Sequence, residues 1–355
     1  MIKLEGTLTD TEKREGLGNL LELWLEVWPH CHLHCAHCFN GASGAVDPSG
    51  LLTREDYEKL IQEFKALGGK VIGIPGNGEP MHARNYPLTL AIATIAHELG
   101  IRVSIFTAGD LLTPERISEL RRLNVSLSIK HNSAKASVED RIVGREGYTL
   151  DRSRAIQLLQ DAGFMDRELD ADSHPTSRVA FVTSILKENY AELPEFFRHC
   201  LSHNIVPNID TVLSLGRGNL FPKPDDEIVR STFLGLQRIA KDEFNDVWEI
   251  SPTYVGGCCD RHGYHLYVDC WGNVSPCLGA NKNGIVLVRK EGQDTLTRAW
   301  NTPLMANLVR PRAYTGACTD CTFFKAKTCN SCLGRFTSIV SSTEIRTIGC
   351  WSFKR

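Results

Sequence analysis

From residue 20 to residue 215, short runs of β-branched and apolar residues alternate with longer stretches whose apolar positions recur at helical spacing. The runs predict six strands, at residues 21–28, 70–75, 102–107, 125–130, 178–185 and 208–213, each followed by a helix. Start and stop signals agree with this alternation. Thr53 opens a Thr-x-x-Asp pattern ahead of a helix expected at 57–67, and Thr113-Pro114-Glu115 puts proline at a first helical position. Gly68, Gly100 and Gly163 stand where helices should stop. Strands alternating with helices argue an α/β chain with a parallel sheet. Six such units without a doubly wound fingerprint predict a partial (β/α)6 TIM barrel, with its functional face at the C-terminal strand ends.

The pattern changes further on. Residues 222–226 read as a linker and 227–244 as a helix, and beyond residue 255 the chain is rich in Gly and Cys with few long periodic elements. Four segments are expected: an N-terminal extension (1–20), the barrel (21–222), a helical connector (223–254) and a small Cys-rich domain (255–355). The 355-residue length suits one large core and one small module. Such a module buries little apolar surface and needs metal staples. No internal repeat or low-complexity tract interrupts the chain.

Composition narrows the function classes. A formal charge of -2, with 42% hydrophobic and 23% charged residues, gives no electrostatic reason for a nucleic-acid or membrane partner. No apolar run approaches the ~20 residues that span a bilayer, and the first residues are polar where a signal peptide is apolar. The expected location is therefore the cytoplasm, where the 13 cysteines are better explained as metal ligands than as disulfides.

Three of those cysteines form a compact group. In Trp28-Pro-His-Cys31-His-Leu-His-Cys35-Ala-His-Cys38-Phe, directly after the first strand, thiolates at x3 and x2 spacing hold three irons of a cubane and leave the fourth open to a ligand. A zinc site completed by His30, His32, His34 or His37 is the alternative. One strand later comes Gly76-Asn77-Gly78-Glu79-Pro80, whose glycines permit close backbone approach and whose carboxylate suits an ammonium group.

This pair of motifs resembles the radical S-adenosylmethionine (radical SAM) superfamily. The resemblance implies an open iron that chelates the amino and carboxylate groups of S-adenosylmethionine, and an electron from the [4Fe-4S] cluster that releases a 5'-deoxyadenosyl radical to take a hydrogen atom from a substrate. It implies cofactor contacts from Gly76, Gly78, Glu79 and Pro80 to the amino group. His37, where the family usually has an aromatic residue, would lie by the adenine, and Ser128, Lys130 and Asn132, at the end of strand four, by the ribose. A plain polar cap on that strand is the other reading of the last three. Arg152 is preferred over Arg141, Arg145 and Arg154 as partner of the cofactor carboxylate. A flavodoxin- or ferredoxin-type protein would supply the electron.

Nine further cysteines lie between Cys258 and Cys350. Cys259, Gly272-x4-Cys277 and then Cys318-x2-Cys321-x7-Cys329-x2-Cys332 resemble the SPASM extension of some radical SAM enzymes, which holds two auxiliary [4Fe-4S] clusters. By that resemblance Cys259, Cys277 and Cys332, with Cys258, hold the first, and Cys318, Cys321, Cys329 and Cys350 the second. The x7 spacing departs from the usual order. Cys270 and Cys200 read as small buried residues. A substrate radical then has two fates: oxidation with electrons passing to the auxiliary clusters, or epimerisation with Cys258 returning a hydrogen atom. The ~20 residues before strand one cannot form a peptide leader-binding domain of ~80 residues. Leu278 replaces the acidic residue of the sulfatase-maturing branch. Both features favour a small polar substrate such as an aminosugar or polyol, with a peptide or protein as the alternative. His262, His265, Asp210 and Arg217 are further candidates to orient hydroxyl groups, with a structural role the preferred reading of each. A zinc-stapled binding module is the non-enzymatic reading.

Overall fold

The computed structural model describes residues 1–41, 49–213, 215–249, 259–282, 284–309, 313–326, 329, 337–339 and 344–347. Its centre is a nine-stranded open sheet. Six strands run β1 (Glu22–Leu25), β2 (Val71–Ile74), β3 (Arg102–Thr107), β4 (Val125–Lys130), β5 (Val179–Ile185) and β6 (Val206–Thr211), all parallel and adjacent in that order. Helices α1 (Arg54–Ala66), α2 (Tyr86–Glu98), α3 (Pro114–Arg122), α4 (Ala136–Val143), α5 (Tyr148–Asp161) and α6 (Leu193–Ser202) lie between or after them. All six expected strands are present, β3 and β4 with the expected bounds. The fold is the expected partial barrel.

Local chemistry sets the ends. The Thr53 hydroxyl accepts from Asp56 N at 3.3 Å while the Asp56 carboxylate accepts from Thr53 N at 2.9 Å, a reciprocal cap that starts α1 three residues ahead of its apolar stripe. Gly68, Gly100 and Gly163 follow helix ends with φ of 89°, 67° and 74°.

Alternation along the strands separates two layers. Leu23, Leu25, Ile72, Ile74, Ile105, Leu127 and Ile129 pack with Tyr57, Ile61, Phe64 and Ile92 of the helices in one core. Burying each such side chain contributes about 1.5–3 kcal/mol, so this outer layer stabilises the scaffold and leaves the concave face free for polar residues. That face carries Glu22, Trp24, Gly73, Ser104, Ser126, Ser128 and Lys130, paired across the strands. At Gly73 a Cβ would stand 2.3 Å from the Trp24 indole, so glycine makes room for the ring.

Two features go beyond the expected six units. β7 (His265–Val268) pairs in parallel with β1 in the register His265↔Glu22 to Val268↔Leu25, and β8 (Asn273–Ser275) and β9 (Val288–Arg289) continue the sheet antiparallel. The Cys-rich segment thus extends the barrel sheet itself. The first 20 residues are also structured. Lys3–Leu4 pairs with Pro175–Ser177, Gly6 N donates to Ser126 Oγ at 2.9 Å at the N-terminal end of the barrel, and a short helix, Asp10–Glu15, starts with a Thr9/Glu12 capping box. The helix α7 (Asp226–Phe244) packs Phe233 and Leu236 with Phe197 of α6 and Trp248. No described helix is long and apolar enough to cross a membrane.

Candidate active site

Cys31, Cys35 and Cys38 lie half-buried and unpaired on the loop after β1. Cys31 and Cys35 pack against Leu33, Ala108, Val143 and Tyr148. Burial pushes the Cys31 thiol up to about 12. It also raises Cys35, against the opposing charge of Lys130. Burial thus disfavours the bare thiolates of Cys31 and Cys35, which need the positive charge of a metal centre. The three sulfurs do not gather within 4.8 Å of one another; the group among the described residues that does is Asp170, Asp172 and His174.

The loop is held from several sides. His34 N donates to Val143 O at 3.0 Å and Ala36 N to Ile142 O at 2.8 Å. After β6, Arg217 N donates to Cys38 O and Arg217 Nε to Cys35 O, both at 2.9 Å. Gly216, with φ 53°, lets that segment approach: a Cβ there would stand 2.5 Å from Phe39 O. Arg217, read from the sequence as a structural residue that could also orient a hydroxyl, clamps the cysteine loop.

The glycine turn after β2 packs on the same loop. A Cβ on Gly78 would lie 2.3 Å from His30 O and 2.5 Å from Trp28 O, backbone atoms that cannot yield. Gly76 takes φ 72°. Asn85, fully buried, donates from Nδ2 to Trp28 O, His30 O and Glu79 O at 2.9, 3.0 and 2.9 Å, tying loop to turn. No sequence signal marked it. The Glu79 carboxylate accepts from Ala108 N at 2.8 Å, Met81 N at 3.0 Å and the Thr107 hydroxyl. It holds the turn against the end of β3 rather than standing free for an ammonium ion. Pro80 O accepts from the Thr89 hydroxyl at 3.0 Å.

Ser128, Lys130 and Asn132 stand at the end of β4, with Ser128 and Asn132 buried. Asn132 Nδ2 donates to Glu139 at 3.0 Å, and Arg152 pairs with the same carboxylate at 3.3 Å. Arg152 is 1% exposed, yet its Nε has no hydrogen-bond partner, and neither has Asn132 Oδ1. Both ring nitrogens of His37 are likewise buried and unpartnered. Burial, reinforced by Lys130, holds His37 well below the usual imidazole range, so the ring is neutral, edge-on to Phe221 at 5.5 Å. Such orphaned groups are rare unless a ligand satisfies them. Of the other arginines, Arg145 pairs with Asp110 at 2.8 Å and Arg154 with Asp151 at 3.6 Å, while Arg141 is exposed.

In the C-terminal segment Cys259 and Cys277 lie close enough that, after burial, Cys259 is the next influence raising the Cys277 thiol. β8 returns antiparallel beside β7, which carries Cys277 back toward the start of β7 and Cys259. Glu22, buried under Arg261 and His265, fastens this segment to β1, so His265 serves the scaffold. Cys321 and Cys329 are half-buried, Cys321 ahead of a short helix, Thr322–Lys325. Cys258, Cys332 and Cys350, and the side chain of Cys318, lie outside the described residues.

The radical SAM superfamily model matches residues 25–200. A protein of Methanosarcina barkeri named AdoMet-dependent heme synthase is 34% identical over 336 residues, which cover 87% of this chain and 90% of that protein. The chain is a radical SAM protein. A second protein of that organism, named Fe-coproporphyrin III synthase, is 25% identical over 59% of this chain and 49% of its own length. Streptococcus suis SuiB bound to S-adenosylmethionine superposes with a TM-score of 0.66 at 15% identity, over 89% of this chain and 74% of that one, a likeness of fold. S-adenosylmethionine and a [4Fe-4S] cluster are the cofactors this membership implies. The three free thiols of one loop, the cradle at Gly78 and the unpartnered atoms of His37, Asn132 and Arg152 fit them.

Proposed function

We propose that this radical SAM protein oxidises a small molecule. The observation that carries this reading is the 34% identity to the heme synthase, which extends over 87% of the chain and so reaches beyond the barrel into the Cys-rich segment. The cluster bound by Cys31, Cys35 and Cys38 supplies, when present, the electron that cleaves S-adenosylmethionine to a hydrogen-abstracting 5'-deoxyadenosyl radical.

The chain's own residues position the cofactor. Backbone groups of the turn Gly76 to Pro80 take the amino group, with Glu79 bracing the turn. Arg152 faces the carboxylate, Ser128, Lys130 and Asn132 the ribose, and the neutral His37 ring the adenine. Cys259 and Cys277, with Cys258 and Cys332, hold an auxiliary cluster, and Cys318, Cys321, Cys329 and Cys350 a second; these make oxidation a better fit than epimerisation through Cys258. A flavodoxin- or ferredoxin-type protein feeds the first cluster.

Among small molecules, an iron tetrapyrrole has the support of the heme synthase relative. The aminosugar or polyol expected from the cysteine pattern and a peptide are the alternatives. The test is anaerobic incubation of the reconstituted protein with S-adenosylmethionine, reductant and iron coproporphyrin III. Stimulated 5'-deoxyadenosine formation together with consumption of the porphyrin supports the reading; 5'-deoxyadenosine formation indifferent to the porphyrin, with the porphyrin unchanged, overturns it.

A further inference from the structure

The cysteine loop is covered from three directions. Carbonyls of Ile142 and Val143 hold Ala36 and His34, Arg217 holds Cys35 and Cys38, and the glycine turn with Asn85 holds Trp28 and His30. Beside Cys31 the cover is made of side chains at the surface. His82 follows the glycine turn, and its ring stacks on those of His30 and His32, the two neighbours of Cys31, with centroids 6.0 and 6.2 Å away. All three rings are half-buried, while Ala83 and Arg84 are exposed. One surface thus runs from Arg84 through His82 to the residues on either side of a cluster ligand.

This surface is positive. Arg84 forms no ion pair among the described residues, and neither does Arg116, which adjoins it by donating from Nη1 to Met81 O at 2.7 Å and Leu111 O at 2.8 Å. Two nearby acids are already taken. Asp110, wholly buried, meets His32 Nε2 at 2.6 Å and Arg145 Nη1 at 2.8 Å, and Glu119 accepts from the Tyr86 hydroxyl at 2.6 Å. Arg84 N donates to His82 Nδ1 at 3.3 Å, so the neutral His82 ring carries its proton on Nε2 as a further donor.

We propose that Arg84 and His82, flanked by Arg116, form the docking face for an acidic electron-carrier protein, which passes an electron to the cluster held by Cys31, Cys35 and Cys38. The transfer moves a single electron: the carrier is oxidised, the cluster is reduced, and no bond is made or broken. A chain with a formal charge of -2 offers an acidic partner no bulk attraction, so steering and orientation fall to a local positive face. Contact at His82 sets the carrier against His30 and His32, one residue from Cys31.

The docking face rests on the carrier-fed cluster of the proposed function, and binding measurements separate the two. A labelled flavodoxin and a labelled ferredoxin, both acidic, are titrated anaerobically into the reconstituted full chain, wild type, R84E and R84K, and followed by fluorescence anisotropy. At low salt R84E should bind about 10-fold more weakly than wild type, and R84K like wild type. The difference should vanish near 1 M salt, where the Debye length falls to about 3 Å. With dithionite as reductant the three proteins should form 5'-deoxyadenosine at one rate, which reports an intact cofactor site. With the carrier as reductant R84E should need about 10-fold more of it for half-maximal rate. Equal carrier affinity in R84E and wild type overturns the docking face alone, as does an equal loss of rate with dithionite. A wild-type chain that binds neither carrier overturns the face and the carrier reading together.

Discussion

Arg261 donates from Nε to Glu22 Oε2 at 3.0 Å and holds Nη2 in an ion pair 3.0 Å from the same oxygen, while its guanidinium lies 3.9 Å above the centre of the Trp24 ring. This contact joins two segments nearly 240 positions apart, and with His265 Nδ1 at 2.9 Å from the same oxygen it locks β7 onto β1. Burial alone would push the Glu22 carboxyl up, but the Arg261 charge and then His265 bring it down to about 2.

A stability consequence follows from the sign of that shift. A carboxyl whose folded value lies below its ordinary one contributes stability that is fully present above about pH 4.5 and is lost as pH falls toward 2. A shift of this size corresponds to about 3 kcal/mol. E22Q should therefore be less stable than wild type by about that amount at pH 7, and the gap should close between pH 5 and pH 2. Parallel denaturant titrations under identical anaerobic conditions measure it, and a gap that stays constant with pH contradicts the role given to Glu22.

Gly78→Ala tests the seam between the cysteine loop and the glycine turn. With His30 O only 2.3 Å from the new methyl group, backbone must move. S-adenosylmethionine affinity should fall at least about 10-fold, a change visible by equilibrium dialysis. Unaltered affinity would show that the turn does not form the cofactor's floor.

Arg217→Ala removes the side-chain donor to Cys35 O and leaves the backbone bond to Cys38 O in place. The expected effect is kinetic: iron should pass to a chelator about 10-fold faster, with the far-ultraviolet circular dichroism unchanged. Iron release at the wild-type rate would contradict the clamp given to Arg217.

Much of this arrangement was legible in local pattern. β3 and β4 are β-branched runs bounded by helix stops, and the Thr53 and Thr113 caps announce their helices. Thr9-x-x-Glu12 is the same kind of signal, present in a segment expected to be only an extension. What stayed hidden depends on distance along the chain. His265–Val268 is four residues long, and nothing local says that it will pair with Glu22–Leu25 rather than fold inside a separate module. Glu79 shows a second limit: spacing identifies the turn, but only the fold reveals that three donors from its own chain already occupy the carboxylate. Asn85 and Arg217 act through backbone carbonyls, which carry no sequence signature.

The central claim is that Cys31, Cys35 and Cys38 hold a cluster that cleaves S-adenosylmethionine. It is tested by anaerobic reconstitution of wild type and of a variant with all three cysteines changed to alanine, measuring iron, zinc and 5'-deoxyadenosine after reduction. The expected result is that the variant binds about four fewer irons per chain and forms no 5'-deoxyadenosine. Tight zinc without iron in the wild type, or 5'-deoxyadenosine formed equally by both, would contradict it.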